Sequence, residues 1–192
     1  MRRYAFLLGI GIILWPTIGQ PAAAASFTLG ERERQDAIAA GRRSVVSEDF
    51  GGEWQARNAS GETLSVMTPF HRLALAARNA AFKGEPLKPK EIDTAVKETS
   101  GKLMVWVTLK GGAPDFARFY TPVLLDGKAE IKPSFVQNER TALRAESGGY
   151  AARCLYVFPA AALGGKSRFT LVVRNPDDKE VSTFTVDLSA MR

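Results

Sequence analysis

Beyond Lys102, apolar and polar residues alternate with period two; before it, the apolar residues recur at helical spacing. KLMVWVTLK (102–110) places Leu103, Val105, Val107 and Leu109 on one face, and GYAARCLYVF (149–158) does the same with Tyr150, Ala152, Cys154, Tyr156 and Phe158. SRFTLVVR (167–174) turns Phe169, Leu171 and Val173 inward, and VSTFTVDLS (181–189) turns Phe184, Val186 and Leu188 inward. Such alternation marks strands with one buried face. NPDDKE (175–180) between the last two is rich in turn residues. Further strands are predicted at 118–125 and 130–136, with Asp126-Gly127 making a tight hairpin. About six strands with no helices between them predict an antiparallel sandwich or a compact barrel and argue against a parallel sheet.

The preceding stretch reads differently. TLGERERQDAIAAGRR (28–43) predicts a helix in which Thr28 and Glu31 form a capping box and Ala37, Ala40 and Gly41 make a small-residue face. Two short extended runs, 53–57 and 63–67, flank NASG and predict a hairpin. In TPFHRLALAARNAAFKG (68–84), Thr68 is an N-cap and Pro69 takes the first helical position, where its missing N–H does no harm. Phe70, Leu73, Ala74, Ala77 and Ala81 then share a face, and Gly84 ends the helix. A further helix is predicted from Pro89 to Gly101, with Ile92, Ala95 and Val96 inward. The chain is thus α+β: N-terminal helices and a hairpin packed on a C-terminal antiparallel β-sandwich-like region.

At the very start, Met1-Arg2-Arg3 precedes the apolar run AFLLGIGIILW (5–15), and AAAAS (22–26) offers a small-residue cleavage site. This is the pattern of an export signal ending near Ala25. The run is too short for a membrane span, which needs roughly 18 or more apolar residues. No transmembrane segment is expected after signal removal, and the protein is expected to be periplasmic or secreted. The expected organisation is a signal over residues 1–25, a helical region with a hairpin over 26–100, and the β region over 101–192.

Charge changes this picture little. Without Arg2 and Arg3, 24 basic residues face 20 acidic ones, a modest excess that does not point to nucleic acid. Eight of these basic residues lie between 72 and 110, Arg72, Arg78, Lys83, Lys88, Lys90, Lys97, Lys102 and Lys110, against Glu85, Glu91, Asp93 and Glu98. Arg72, Arg78, Lys83, Lys88 and Lys90 are the candidate binding face, for an envelope protein, a glycan or an anionic lipid surface.

Reactive side chains are few. His71 is the one histidine and Cys154 the one cysteine, so no internal disulfide forms. His71, at the third position of its helix, sits where the helix dipole disfavours an imidazolium. Cys154, mid-strand on an aromatic face, has the setting of a small buried hydrophobe. They are weak catalytic candidates. One histidine and one cysteine make no zinc site without spaced carboxylates. Asp177-Asp178 belongs to a turn, and phosphate-loop, dinucleotide and nucleophile-elbow motifs are missing. No cofactor or metal is expected. The sequence therefore favours an exported, non-catalytic envelope module that binds a protein, glycan or lipid surface. The alternative is a hydrolase or thiol-dependent enzyme using His71 with Cys154 or a carboxylate.

Overall fold

The computed structural model describes residues 27–146, 148–163 and 168–192; the predicted export signal lies outside them. Among these described residues three helices, α1 (Glu31–Arg43), α2 (Pro69–Phe82) and α3 (Pro89–Thr99), accompany ten strands. These are β1 (Gln55–Arg57), β2 (Thr63–Met67), β3 (Lys102–Gly111), β4 (Thr121–Asp126), β5 (Ala129–Ile131), β6 (Phe135–Gln137), β7 (Leu143–Arg144), β8 (Tyr150–Pro159), β9 (Arg168–Arg174) and β10 (Glu180–Asp187). They build two antiparallel sheets. One has the order β1-β2-β3-β8-β6, with β7 also along β8; the other has the order β10-β9-β4-β5.

The alternation in the sequence sets how the sheets meet. Leu103, Val105, Val107 and Leu109 from β3 and Ala152, Cys154, Tyr156 and Phe158 from β8 are buried together with Leu124, Phe169, Leu171, Val173, Phe184 and Val186 of the other sheet. Phe70, Leu73, Ala74 and Ala77 of α2 and Ala95 of α3 join the same core. The hairpin β1–β2, grouped with the helices on sequence, is the edge of the larger sheet: Val66 of β2 lies opposite Val105 of β3.

Several expectations are corrected in detail. Helix α1 is capped at Gly30, whose N–H donates to Glu33 Oε2 at 2.7 Å, rather than at Thr28; Glu31 instead accepts from the Gln35 side chain. The strand expected over 130–136 is two strands in different sheets, since β5 pairs with β4 and β6 pairs with β8. Lys132-Pro133-Ser134 separates them, and a proline supplies no ladder N–H. The strand expected from 118 begins at Thr121. The two-residue β7 is too short to leave a periodic trace. By contrast, Thr68 caps α2 as expected, and Gly127 adopts φ +59° in the β4–β5 hairpin.

Candidate functional site

Strand β2 runs directly into α2, and this junction places His71. Thr68 Oγ1 accepts the His71 N–H at 3.0 Å and donates to the Arg192 backbone oxygen at 2.6 Å. The imidazole is buried, and its Nδ1 lies 2.8 Å from the Val66 carbonyl oxygen. A carbonyl only accepts, so Nδ1 carries the proton. The ring stacks on Trp54 at 4.1 Å and 8°, with Phe50 edge-on at 6.0 Å. Trp54 Nε1 in turn donates to the Arg192 backbone oxygen at 2.7 Å. The Arg192 guanidinium grips Glu53 through two bonds, of 2.7 and 3.0 Å, and lies over the Phe70 ring. His71 is thus one layer of an aromatic stack that fastens Arg192 to the β2–α2 junction. Beside it is a hollow of about 270 Å³, lined by Ser47, Asp49, Phe50, Glu53, Trp54 and Arg192 among others.

Burial holds the His71 pKa below its usual value, against the smaller opposing pulls of the Val66 carbonyl and Glu53. The folded protein therefore keeps this ring neutral where an unfolded chain would already bind a proton. Stability from this group is full above the unfolded value near 6.5 and is lost as pH falls below it towards the lowered folded value. The expected slope is at most about 1.4 kcal/mol per pH unit. Urea unfolding of the wild type and of His71→Gln at a series of pH values below neutrality checks this: the acid slope is expected to be shallower in the variant.

Cys154 occupies a different place. It faces inward from β8 opposite Val107, fully buried, and burial pushes its thiol pKa up. Strand β3 lies between it and β2, the strand that leads to His71. Among the described residues no hydrogen bond or ring contact joins the two side chains. Burial keeps the thiol protonated, and the two groups have separate surroundings, His71 Nδ1 on the Val66 carbonyl and Cys154 inside the sheet core. Among the described residues no group of three or more His, Cys, Asp or Glu side chains is placed to hold a metal ion.

The five basic candidates divide. Arg78 is a strut: its guanidinium donates to the Ser44 and Ser47 carbonyls at 3.1 and 3.0 Å and lies over the Phe50 ring. Arg72 is paired with Glu98 at 2.9 Å. Arg72, Lys83 and Lys90 line a groove of about 360 Å³ between α2 and α3, but Glu85 and Glu91 line it too. Lys88 precedes α3, where its N–H donates to Glu91 Oε2 at 2.8 Å. The groove is of mixed sign.

The outer face of the larger sheet was not singled out from sequence, yet it differs from an ordinary solvated face. The register aligns Met67, Met104, Val157 and Phe135 in one row across β2, β3, β8 and β6. The next row holds Ser65, Trp106, Leu155 and Gln137. Leu143 of β7 adds to this face opposite Ala151. Met67, Met104, Trp106 and Leu155 are half-buried among their neighbours, whereas Phe135 and Leu143 are exposed. The charged residues at outward positions of these strands are Arg57, Lys102, Lys110 and Arg153, all exposed and all cationic. Arg153 lies over the Trp106 ring at 4.6 Å.

No family model matches the chain, and no curated protein matches it. Among solved structures it is similar to one titled "IgNAR antibody domain C3", over 52% of this chain and 86% of that chain, at 14% identity and a TM-score of 0.31. Nothing about function follows from a likeness of that size.

Proposed function

We propose that this protein is an exported, non-catalytic module of the cell envelope, periplasmic or secreted, that works by binding a partner. The observation that carries the reading is the outer face of the larger sheet, apolar at its centre and cationic around it. A partly exposed apolar surface rimmed by charge is a feature of interaction surfaces. The environments of His71 and Cys154 support the non-catalytic part, because burial keeps the thiol protonated and the imidazole is engaged by Val66 and Trp54 in a place apart from it. The export part is supported by residues 1–25, with their positive end, apolar run and small-residue cleavage site.

Two measurements test it. The protein recovered from the envelope fraction is expected to begin at or next to Ser26 by N-terminal sequencing; an intact Met1 start in the cytoplasm would sink the export reading. The processed protein, immobilised and exposed to its own envelope extract, is expected to retain a partner at low salt and to lose much of it at high salt. No retained partner at either salt would sink the binding reading.

A further inference from the structure

We infer that the outer face of the β1-β2-β3-β8-β6 sheet docks an acidic protein surface, with Trp106, Met104 and Leu155 at the centre of the contact. This deepens the binding reading above and rests on it. The chief argument is a contrast between the two sheets of one molecule. The outer face of the β10-β9-β4-β5 sheet carries Thr170, Thr183 and Thr185 beside Val123, Leu125 and Val172, and balances Arg168 and Arg174 with Glu130, Glu180 and Asp187. Its charges nearly cancel. Its counterpart carries Thr63, Ser65 and Thr108 beside the larger Met104, Trp106, Leu155 and Val157, and its strands hold four cations and no carboxylate at outward positions. Glu139, in the loop between β6 and β7, accepts the Arg153 N–H at 2.6 Å and offsets part of that charge.

Charge selects the occupant. A second copy applied to the same face would set four cations against four, so self-association is disfavoured. The central side chains are half-buried among their cross-strand neighbours, and only Phe135 and Leu143, at one edge, stand clear. A flat surface of this kind inserts little into a bilayer but matches another flat protein face. The Trp106 ring is covered by the Arg153 guanidinium, so the ring is not free to stack on a sugar. A partner with an apolar centre and an acidic rim would bury Met104 and Leu155 and pair with Arg57, Lys102 and Arg153.

Site-specific photo-crosslinking of the full chain in its native envelope tests this. The photoreactive residue p-benzoylphenylalanine is placed at Thr108 on this face, at Thr185 on the other sheet, and at Ala80 in the α2–α3 groove. The expected result is capture from Thr108 alone, of a protein whose crosslinked segment is acidic. The purified partner is then expected to bind about 10-fold or more weakly to the Lys102→Glu, Arg153→Glu variant, whose thermal melt stays at the wild-type position. Capture of a second copy, capture of a neutral or basic segment, or unchanged affinity in the variant overturns the proposal. So does binding to phosphatidylglycerol vesicles in place of any protein crosslink. Capture from Ala80 or Thr185 but not Thr108 overturns it while leaving a binding module in place; no capture from any position removes both.

Discussion

Replacing Glu62 by alanine is expected to remove about 3–4 kcal/mol of folding stability. Glu62 is a buried carboxylate in the loop between β1 and β2, and three parts of the fold converge on it. Its Oε1 accepts the Lys110 N–H of β3 at 2.9 Å, and its Oε2 accepts from Asn58 Nδ2 at 2.7 Å and from Ser182 Oγ of β10 at 2.6 Å. Asn58 closes the ring by accepting the Glu62 N–H at 3.0 Å. The carboxylate therefore ties the hairpin turn to the end of β3 and to the opposite sheet. Bonds to a charged acceptor are stronger than neutral ones, and truncation leaves the Lys110 N–H and the Ser182 hydroxyl short of their acceptor, while Asn58 Nδ2 keeps only its 3.2 Å bond to Ser182 Oγ.

The isosteric change separates this account from simple loss of packing. Glu62→Gln keeps the side-chain volume and one acceptor oxygen, which can serve Lys110. Its amide nitrogen, however, would face the Asn58 amide donor. The expected cost is about 1–2 kcal/mol, well short of the alanine variant. Urea unfolding of the three proteins checks the order. Equal losses for Gln and Ala would make the charge essential in itself, and a loss below about 1 kcal/mol for Ala would refute the network.

How much of this was legible in the sequence depends on range. Period-two alternation placed the inner faces of β3, β8, β9 and β10, because one buried face is a local property of a strand. Thr68 and Pro69 placed the start of α2 for the same reason. Glu62 was not legible: its partners Lys110 and Ser182 are 48 and 120 residues away, and a lone glutamate after a turn has no pattern. The engagement of Arg78 was hidden by range as well, since its partners, Ser44 and Ser47, lie on the far side of the hairpin in sequence. The outer sheet face did leave a trace. KLMVWVTLK is apolar on both of its faces, with Met104 and Trp106 on the second, and a strand with one solvated face would not be.

Gly41→Ala is expected to destabilise the protein by about 2–3 kcal/mol, although on an isolated helix the same change is stabilising. Gly41 lies in the last turn of α1, with helical backbone, so alanine would favour the helix by about 1 kcal/mol. Packing opposes this. A Cβ at residue 41 would sit 2.1 Å from the Ala74 carbonyl oxygen, and 2.9 Å from both the Ala74 carbonyl carbon and the Ala77 Cβ. A carbon and a carbonyl oxygen approach to about 3.3 Å at closest. The obstructing atom is backbone inside α2 and cannot rotate away, so α1 must move outward by about 1 Å or more. That shift draws Ala37 and Ile38 off the core and strains the Arg78 bonds to Ser44 and Ser47. Gly112→Ala is the matched control: its added Cβ meets nothing within 4 Å, and its backbone is outside the left-handed region. That variant is expected to unfold within about 0.5 kcal/mol of the wild type. If Gly41→Ala unfolds at the same urea concentration as Gly112→Ala, the close approach of α1 to α2 does not hold, and the small-residue face of α1 is no more than a run of good helix formers.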